Sequence, residues 1–406
     1  MDVFEKCNKD GGYLGILRIA NDKYFSRPIL SHYPGTEMEF NGMKTIIWSI
    51  NNYLGLAKDE EIKKIAVKAA EEYGASAPMG SRMLTGNTTL HEALEEKLAR
   101  FAEKESAILF NFGYLGVLGT MSAIVHRSDT IIIDKLSHAC MIDGTFLSGG
   151  KYRFYKHNDM NDLEKQLKTT NKLSKGGVLI VTEGVFGMRG DLANLPDICN
   201  LKEKYGARLF VDDAHGCGVM GPNGKGTSEH FGVMDRVDLY FSTFAKSFAA
   251  IGGFTAGPEQ VIRYITYNAR TNIFAKSLPM IYVKVAEATL ERMQKEPDIR
   301  KRCWEVAKKL QNGLKEIGFS IGDTASPITP VYIPAEPDIA KNIIIYLREK
   351  KGVFVSGVMY PVVPKGIILL RMIPTAAHTD EQIEKTLDAF KALRDEFKLH
   401  LDNTKF

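Results

Sequence analysis

The chain has 406 residues, of which 44% are hydrophobic and 25% charged, and its formal net charge is +4. This is the composition of an ordinary globular protein, with length for about two or three domains of roughly 100–200 residues. The small net charge gives no sign of nucleic-acid binding. The cysteines are scattered and form no CxxC pair, which argues against a disulfide or zinc framework. The sequence shows neither a signal-peptide core nor an apolar run of about 18 residues, so we expect a cytoplasmic protein that meets lipid at most from the membrane surface.

The N-terminal part of the chain divides into an arm, a hairpin and a helix. We predict an irregular arm over residues 1–45, which contains Pro28 and Pro34. At its end the turn sequence NGMK lies between two β-like runs, MEF and TIIWSI, and predicts a hairpin. The loop NNYLGL follows, with Asn51 at its start. Residues 60–73 have apolar side chains at helical spacing and charged ones on the other face, which predicts a helix.

Two later segments have the composition of anion-binding segments. The loop after residue 73 is rich in glycine, serine and threonine, and Arg82 within it is a cation that can face a negative group. The segment AILFNFGYLGVLGTMSAIV starts as a strand and becomes helical after Gly113 and Tyr114. Backbone N–H groups at the start of that helix suit a phosphate. Neither signal is specific alone, because such a loop is also typical of a linker.

The middle of the chain alternates between apolar strands and amphipathic helices. One strand, TIIID, ends at Asp134 and is followed by His138, whose flat ring can stack on a planar group. The alternation predicts an α/β fold with a mainly parallel sheet covered on both faces. We predict a large domain over residues 46–290 and a smaller C-terminal α/β domain over residues 291–406. In the latter, Arg371 ends the apolar run GIILL, where an arginine either pairs with an acid or receives a substrate carboxylate.

The stretches LFVDDAHGCGVMG and STFAKSFAAIGGF carry the most chemical information. The first is a buried strand that delivers Asp212 and His215 at its carboxyl end, where open α/β sheets bind their ligands. The second places Lys246 among small residues before a Gly-Gly pair, which lets backbone pass close to a bound group. This order resembles that of pyridoxal-phosphate enzymes. The resemblance implies that Lys246 forms the Schiff base, that Asp212 keeps the pyridine nitrogen protonated and that His215 reaches the phenolic oxygen.

Nine motifs together resemble a single family, the α-oxoamine synthases. In chain order they are NNYLGL, GSRMLTGNTTLHEALE, NFGY, DKLSHACMIDG, EGVFGMRGDLANLP, VDDAHGCGVMG, STFAKSFAAIGGF, RTNIFAKSLP and LLRMIPTAAHT. The resemblance covers nearly the whole chain from about Asn41 onward. It implies the fold-type I architecture of pyridoxal 5'-phosphate enzymes and a homodimer with active sites at the subunit interface. The implied reaction is the condensation of an amino acid with an acyl thioester, with release of carbon dioxide.

The same resemblance implies roles for individual residues. His138 is expected to stack on the cofactor ring, and Lys246 to shuttle the proton at the substrate α-carbon. Asn51 and Arg371 match the positions that orient the substrate carboxylate and the substrate joined to the cofactor. The expected phosphate contacts are Gly113, Tyr114, Thr243 and, from the other subunit, Ser277.

The choice of amino acid rests on departures from one branch of the family. The GSR, EGVF, GDLANLP and AHT stretches lean toward the serine palmitoyltransferase branch, which uses long acyl chains. Differences near the expected pocket include Ala245, Gly187, Ser356, Gly357 and Lys276. Bacterial relatives that join cysteate to a long-chain acyl thioester are similar to this branch. Our hypothesis is a cysteate acyltransferase in which Lys276 and Arg82 face the sulfonate, although both are also typical of ordinary surface or interface charges.

Several alternatives stay open at this point. The product would be a 3-keto long-chain base for sulfonolipid or sphingolipid synthesis, made from an acyl group on acyl carrier protein or coenzyme A. A serine palmitoyltransferase proper and a glycine C-acetyltransferase-like enzyme acting on a short acyl-CoA are the nearest alternatives. An aminotransferase of the same fold is disfavoured by the DDAH arrangement followed by an AK pair. A noncatalytic partner subunit would lack Lys246, and a purely structural protein would not need that lysine together with Asp212, His215 and His138.

Overall fold

The computed structural model describes residues 2, 4–8, 24–25, 27–32, 34–173, 175–360, 363–399 and 401. Its strands are β1 (Leu30–Ser31), β2 (Glu37–Phe40), β3 (Met43–Ile47), β4 (Ser106–Phe110), β5 (Thr130–Asp134), β6 (Lys151–Tyr155), β7 (Val178–Glu183), β8 (Arg208–Asp212), β9 (Leu239–Thr243), β10 (Gly253–Gly257), β11 (Thr329–Pro334), β12 (Val353–Phe354), β13 (Ser356–Val358) and β14 (Ile367–Met372).

The α-helices cover both the middle and the end of the chain. They are α1 (Glu60–Tyr73), α2 (Thr89–Phe101), α3 (Gly113–Ile124), α4 (Ala139–Ser148), α5 (Met160–Leu173), α6 (Leu195–Tyr205), α7 (Thr227–His230), α8 (Glu259–Asn268), α9 (Arg270–Ile273), α10 (Met280–Lys295), α11 (Pro297–Ile317), α12 (Pro337–Ile345) and α13 (Asp380–Glu396). In the described part of the chain, none of them combines the length and apolar character that crossing a bilayer requires. The predicted helix over residues 60–73 is confirmed as α1.

A seven-stranded sheet forms the centre of the molecule, in the order β4-β10-β9-β8-β7-β5-β6. The neighbours from β6 to β9 run parallel, whereas β10 is antiparallel to both β9 and β4. Strands β5, β7 and β9 are buried along their whole length, as expected of strands covered by helices on both faces. The predicted mainly parallel sheet is therefore confirmed.

The parallel strands place polar residues along one edge of this sheet. Strand β5 ends at Asp134, β7 at Glu183, β8 at Asp212 and β9 at Thr243. All four residues are buried. Because the carboxyl ends of parallel strands meet at the same edge, these residues share the side of the sheet where open α/β folds bind ligands.

The ends of the chain build two smaller sheets. One has the order β11-β14-β13, and the other has the order β1-β2-β3-β12. The predicted hairpin is confirmed: β2 and β3 pair antiparallel, and their turn is made by Asn41 and Gly42 with φ values of 50° and 78°. Both positive values suit a tight hairpin turn.

The domain boundaries remain predictions, and two elements run across them. Strand β3 extends through the boundary placed at residue 45 and pairs in parallel with β12 from the C-terminal part. Helix α10 likewise runs past residue 290. The strands of the expected arm thus pack with the C-terminal unit, whereas residues 9–23 of that arm lie outside the described residues.

Candidate active site

The site begins with two acids on neighbouring strands. Glu183 and Asp212 are register partners at the carboxyl ends of β7 and β8. Oδ1 of Asp212 accepts the N–H of Ala214 at 3.0 Å, and the Cys140 thiol donates to its Oδ2 at 3.8 Å. Burial raises the pKa of Asp212, although the Lys246 charge and the Ala214 N–H oppose that rise. A carboxylate held in this way can accept a hydrogen bond from a protonated ring nitrogen.

Lys246 lies on the loop that joins β9 to β10. The loop is closed by backbone hydrogen bonds from Phe244 to Gly252 at 2.8 Å and from Ala249 to Lys246 at 3.0 Å. Burial lowers the pKa of Lys246 to about 8, and Asp212 and Glu183 oppose a larger fall. With this pKa, roughly a tenth of the side chain is the neutral amine near pH 7, far more than for an ordinary lysine, and the neutral amine is the form that attacks a carbonyl carbon.

His138 stands at the start of α4, the helix that follows β5. Its Nδ1 accepts the N–H of Cys140 at 3.3 Å and lies 3.0 Å from the Cys140 sulfur. Desolvation lowers the pKa of His138, although the Asp212 charge raises it. Despite this desolvation, His138 as a residue is exposed at the surface of the chain. An accessible, oriented imidazole near Asp212 and Lys246 fits a planar ligand.

His215 is a buried neutral histidine held on one side by a tyrosine. Its Nδ1 lies 2.8 Å from the Tyr53 hydroxyl. A Cβ atom at Gly187 would lie 2.4 Å from its Nε2, so the ring borders this glycine closely. Burial lowers the pKa of His215 well below its usual range, and the charges of Lys246 and Arg371 add to the effect.

Arg371, on β14, carries a cation into the same neighbourhood. Its Nε donates to the Gly187 carbonyl oxygen at 2.6 Å, and its Nη2 donates to Oδ1 of Asn51 at 3.4 Å. No carboxylate among the described residues forms an ion pair with it. Burial lowers the pKa of Arg371, so the guanidinium is partly desolvated, and its hydrogen bonds within the described residues go to neutral oxygens.

The start of helix α3 meets the end of β9. A Cβ atom at Gly113 would lie 2.6 Å from Thr243 Oγ1, so the two residues touch. The residue before α3, Phe112, offers no side-chain cap, which leaves the first N–H groups of the helix available to an anion. The Tyr114 hydroxyl donates to Asp143, so we expect this residue to contribute through its backbone.

Ser277, Lys276 and Arg82 form a separate group. Ser277 Oγ donates to the Gly80 carbonyl oxygen at 2.7 Å. The backbones of Ser81 and Lys276 form an isolated antiparallel β-bridge. The Arg82 guanidinium makes two hydrogen bonds of 2.8 Å to Glu95, a bidentate pair that neutralises its charge. The expected role of Arg82 as a sulfonate partner stays a prediction, and this pairing with Glu95 weighs against it. The Lys276 ammonium has no ion-pair partner among the residues that the structure describes.

Three residues of the site were missed by the sequence analysis. Glu183 accepts the N–H of Gly187 at 3.0 Å, and burial, with the Asp212 charge next, raises its pKa to about 8. Its signal was present, since VLIVTE is an apolar strand that ends in an acid just as the Asp212 strand does. Tyr53 and Cys140 carried no such signal, because their contacts with His215 and Asp212 come from distant parts of the chain.

The side chains that converge here fit pyridoxal 5'-phosphate. Lys246 supplies an amine of lowered pKa, and Asp212 a buried carboxylate. His138 offers an exposed imidazole, and His215 a neutral one. Gly113 opens a helix N-terminus without a side chain, at a position where an anion can reach backbone N–H groups.

A family comparison agrees with this donor set. The model of aminotransferase class I and II matches residues 43–390. The chain belongs to this aminotransferase family. It is 48% identical over 400 residues to a cysteate-C-fatty acyltransferase of Capnocytophaga ochracea, and the aligned region covers 98% of this chain and 95% of that protein. It is 42% identical over 364 residues to a serine palmitoyltransferase of Bacteroides thetaiotaomicron, covering 88% of this chain and 91% of the relative.

The fold of the chain is also similar to that of a solved structure. A serine palmitoyltransferase from S. paucimobilis with bound PLP–myriocin aldimine has a TM-score of 0.90 and 30% identity, covering 98% of this chain and 100% of that one. The predicted family, fold and cofactor are confirmed together. The chain is a pyridoxal-phosphate-dependent acyltransferase of the α-oxoamine synthase branch, with the fold-type I architecture.

Proposed function

We propose that this synthase condenses cysteate with a long-chain acyl thioester and releases carbon dioxide and the free carrier thiol, giving a 3-keto long-chain base for sulfonolipid synthesis. Serine is the second candidate amino acid, with a product for sphingolipid synthesis. The acyl donor would be a thioester of acyl carrier protein or of coenzyme A. A glycine C-acetyltransferase-like reaction with a short acyl-CoA is the third possibility.

The observation that carries the proposal is the unpaired cation of Arg371. Its guanidinium is held by the Gly187 carbonyl oxygen and Asn51, and both contacts are neutral. A partly desolvated arginine without a carboxylate is costly unless its ligand brings the negative charge. An amino-acid carboxylate has the charge and the planar geometry that a guanidinium binds.

The remaining side chains divide the work of the reaction. When bound, the cofactor supplies an electron sink for negative charge at the substrate α-carbon. The neutral Lys246 amine can take the proton from that carbon and return one later. Asp212 keeps a proton at the ring nitrogen by its negative charge, and His215 donates to the phenolic oxygen. Arg371 holds the carboxylate until it leaves.

Two observations favour cysteate over serine. The relative at 48% identity bears the name cysteate-C-fatty acyltransferase. Lys276 remains a cation without an ion pair in the described part of the chain, whereas Arg82 is neutralised by Glu95. A sulfonate needs a cation beyond the one that holds the carboxylate, and Lys276 is the remaining candidate of the two.

We propose that the active unit is a homodimer in which Ser277 reaches the cofactor phosphate of the other subunit, with Lys276 beside it. The surface next to these residues supports this, because Met79, Leu84 and Phe274 are 75%, 81% and 74% exposed. Large apolar side chains exposed together are typical of protein–protein contacts.

The proposal is tested by a product assay by mass spectrometry. Cysteate, serine and glycine are each offered with palmitoyl-acyl carrier protein, palmitoyl-CoA and acetyl-CoA. We expect kcat/KM for cysteate with a long-chain donor to exceed that for serine by about tenfold, the worth of one charged hydrogen bond. Preference for serine would sink the sulfonate assignment, and preference for glycine with acetyl-CoA would move the enzyme to the third reaction.

The role of Lys276 is tested in the same assay. Lys276→Ala should lower kcat/KM for cysteate about tenfold and leave that for serine nearly unchanged, because serine offers no second anion. Lys315→Ala, at an exposed position of α11, is the matched control. An equal loss with both amino acids would contradict a sulfonate contact.

A further inference from the structure

The Tyr53–His215 contact is a buried polar contact of the site that sequence motifs did not assign. Tyr53 is completely buried, and its hydroxyl lies 2.8 Å from His215 Nδ1. The two rings are nearly perpendicular, at 86°, so the hydroxyl meets the edge of the imidazole. The backbone oxygen of Tyr53 also accepts the N–H of Ala376 at 2.8 Å. The phenol is thus fixed by the core around it.

The direction of this hydrogen bond follows from burial. Burial raises the pKa of the Tyr53 phenol and lowers that of His215, so the pair consists of a neutral phenol and a neutral imidazole. If the imidazole donated from Nδ1, the buried phenolic O–H would be left without an acceptor among the described residues, at a cost. If the phenol donates to Nδ1, the phenolic O–H is satisfied, and the one remaining donor of the pair is the Nε2–H on the other edge of the ring. The second arrangement is the stable one.

We infer that Tyr53 is a positioning residue that fixes His215 in the tautomer with its proton on Nε2. That edge of the ring borders Gly187, where a Cβ atom would approach Nε2 to 2.4 Å, so a side chain at this position would collide with the Nε2 edge and the glycine keeps it clear. An Nε2–H is a hydrogen-bond donor, and a donor is what the anionic phenolic oxygen of the cofactor requires. Tyr53 therefore acts on the cofactor through His215. This inference depends on the cofactor and is independent of which amino acid is used.

The test is the pH titration of the cofactor absorbance in the holoenzyme, which needs no substrate. In Tyr53→Phe the Nδ1 acceptor loses its donor, the Nε2 proton is no longer imposed, and the phenolic oxygen loses a hydrogen bond. That oxygen then holds its neighbouring proton more tightly, so the midpoint of the colour change should rise by about one pH unit. Tyr155→Phe removes another buried phenol, outside the site, and should leave the midpoint unchanged.

A double-mutant cycle separates positioning from mere support of the fold. His215→Asn should shift the midpoint in the same direction, and adding Tyr53→Phe to it should cause no further shift, since Tyr53 acts through the imidazole. Additive shifts would overturn the inference. If Tyr53→Phe folds poorly, ¹⁵N spectra of the histidine-labelled wild-type apoprotein still decide: a His215 proton on Nδ1 would refute the assigned tautomer.

Discussion

Lys246 shows how opposing influences set a reactive group near neutral pH. Burial alone would depress its pKa further, whereas the neighbouring charges of Asp212 and Glu183 hold it at about 8. Glu183 titrates in the same range, since burial raises its pKa to about 8. Because these groups influence one another's pKa values, a measured titration midpoint belongs to the three groups together and not to Lys246 alone.

This balance predicts how the apoprotein captures its cofactor. The rate of yellow colour formation with pyridoxal 5'-phosphate should rise with pH and level off above about 8, because the ammonium form below that pH cannot attack an aldehyde. Stopped-flow absorbance over this range measures the midpoint. Asp212→Asn should lower the midpoint, since it removes a charge that raises the lysine pKa, and Lys246→Ala should form no such chromophore. A midpoint near 10.4, the ordinary lysine value, would contradict the argument.

The residues that sequence reasoning found and missed differ in where their partners lie. Asp212 and His215 were singled out by the rule that ligands bind at the carboxyl ends of strands, and Lys246 by its order after them, which resembles that of pyridoxal-phosphate enzymes. Tyr53 was missed because its contact with His215 spans 162 positions. Arg82 shows a similar limit of local sequence: nothing in the glycine-rich loop indicates that its guanidinium will pair with Glu95 on α2.

At the scale of elements, the junction of β9 and α3 is closely packed at the expected phosphate site. Gly113 opens the helix directly against Thr243, and no side chain caps the helix start. The strand and the helix belong to different parts of the chain and are brought together by β10, which pairs with both β9 and β4. The position of the anion site therefore depends on sheet order, which local sequence does not reveal.

Gly113→Ala tests this junction. The added Cβ would stand 2.6 Å from Thr243 Oγ1, so the helix start must move away from the strand end. We expect cofactor affinity to fall about tenfold or more, because backbone hydrogen bonds to a phosphate are lost. Equilibrium titration of absorbance measures the affinity. Gly177→Ala, where a Cβ would make ordinary contact at 3.7 Å, is the control, and equal affinities of the two variants would count against a phosphate at α3.

Local sequence carries more information on the positions of elements than on the limits of domains, which remain predictions. Helix α1 and the β2–β3 hairpin follow from local periodicity and turn residues. The boundary at residue 45 was placed inside β3 because the strand that completes its sheet, β12, lies some 300 positions later, and pairing over that distance leaves no local signal. Short-range patterns define elements, whereas long-range pairing defines which unit they join.

For the molecule as a whole, His157 links successive units of the central sheet. Its Nδ1 lies 3.1 Å from Asp134 at the end of β5, and its Nε2 lies 2.7 Å from Asp191 in the loop after β7. Arg189 also contacts Asp191, at 3.4 Å. Burial alone would lower the pKa of His157, but its hydrogen bonds to the two aspartates outweigh burial and raise the pKa to about 9.

This clamp predicts a pH-dependent contribution to stability. The folded pKa of His157, about 9, lies above the unfolded value of roughly 6.5, so its stabilisation is fully present below about pH 6.5 and is lost as pH rises through about 9. His157→Gln, which removes the charge, should therefore cost about 2–3 kcal/mol of unfolding free energy near pH 6 and much less near pH 9.5. Urea unfolding at both pH values measures the difference, with His126→Gln, at an exposed position, as control. The opposite trend, a larger loss at high pH, would show that the clamp holds as a neutral hydrogen-bonded contact, and the protonated imidazole would then have no part in joining the strands.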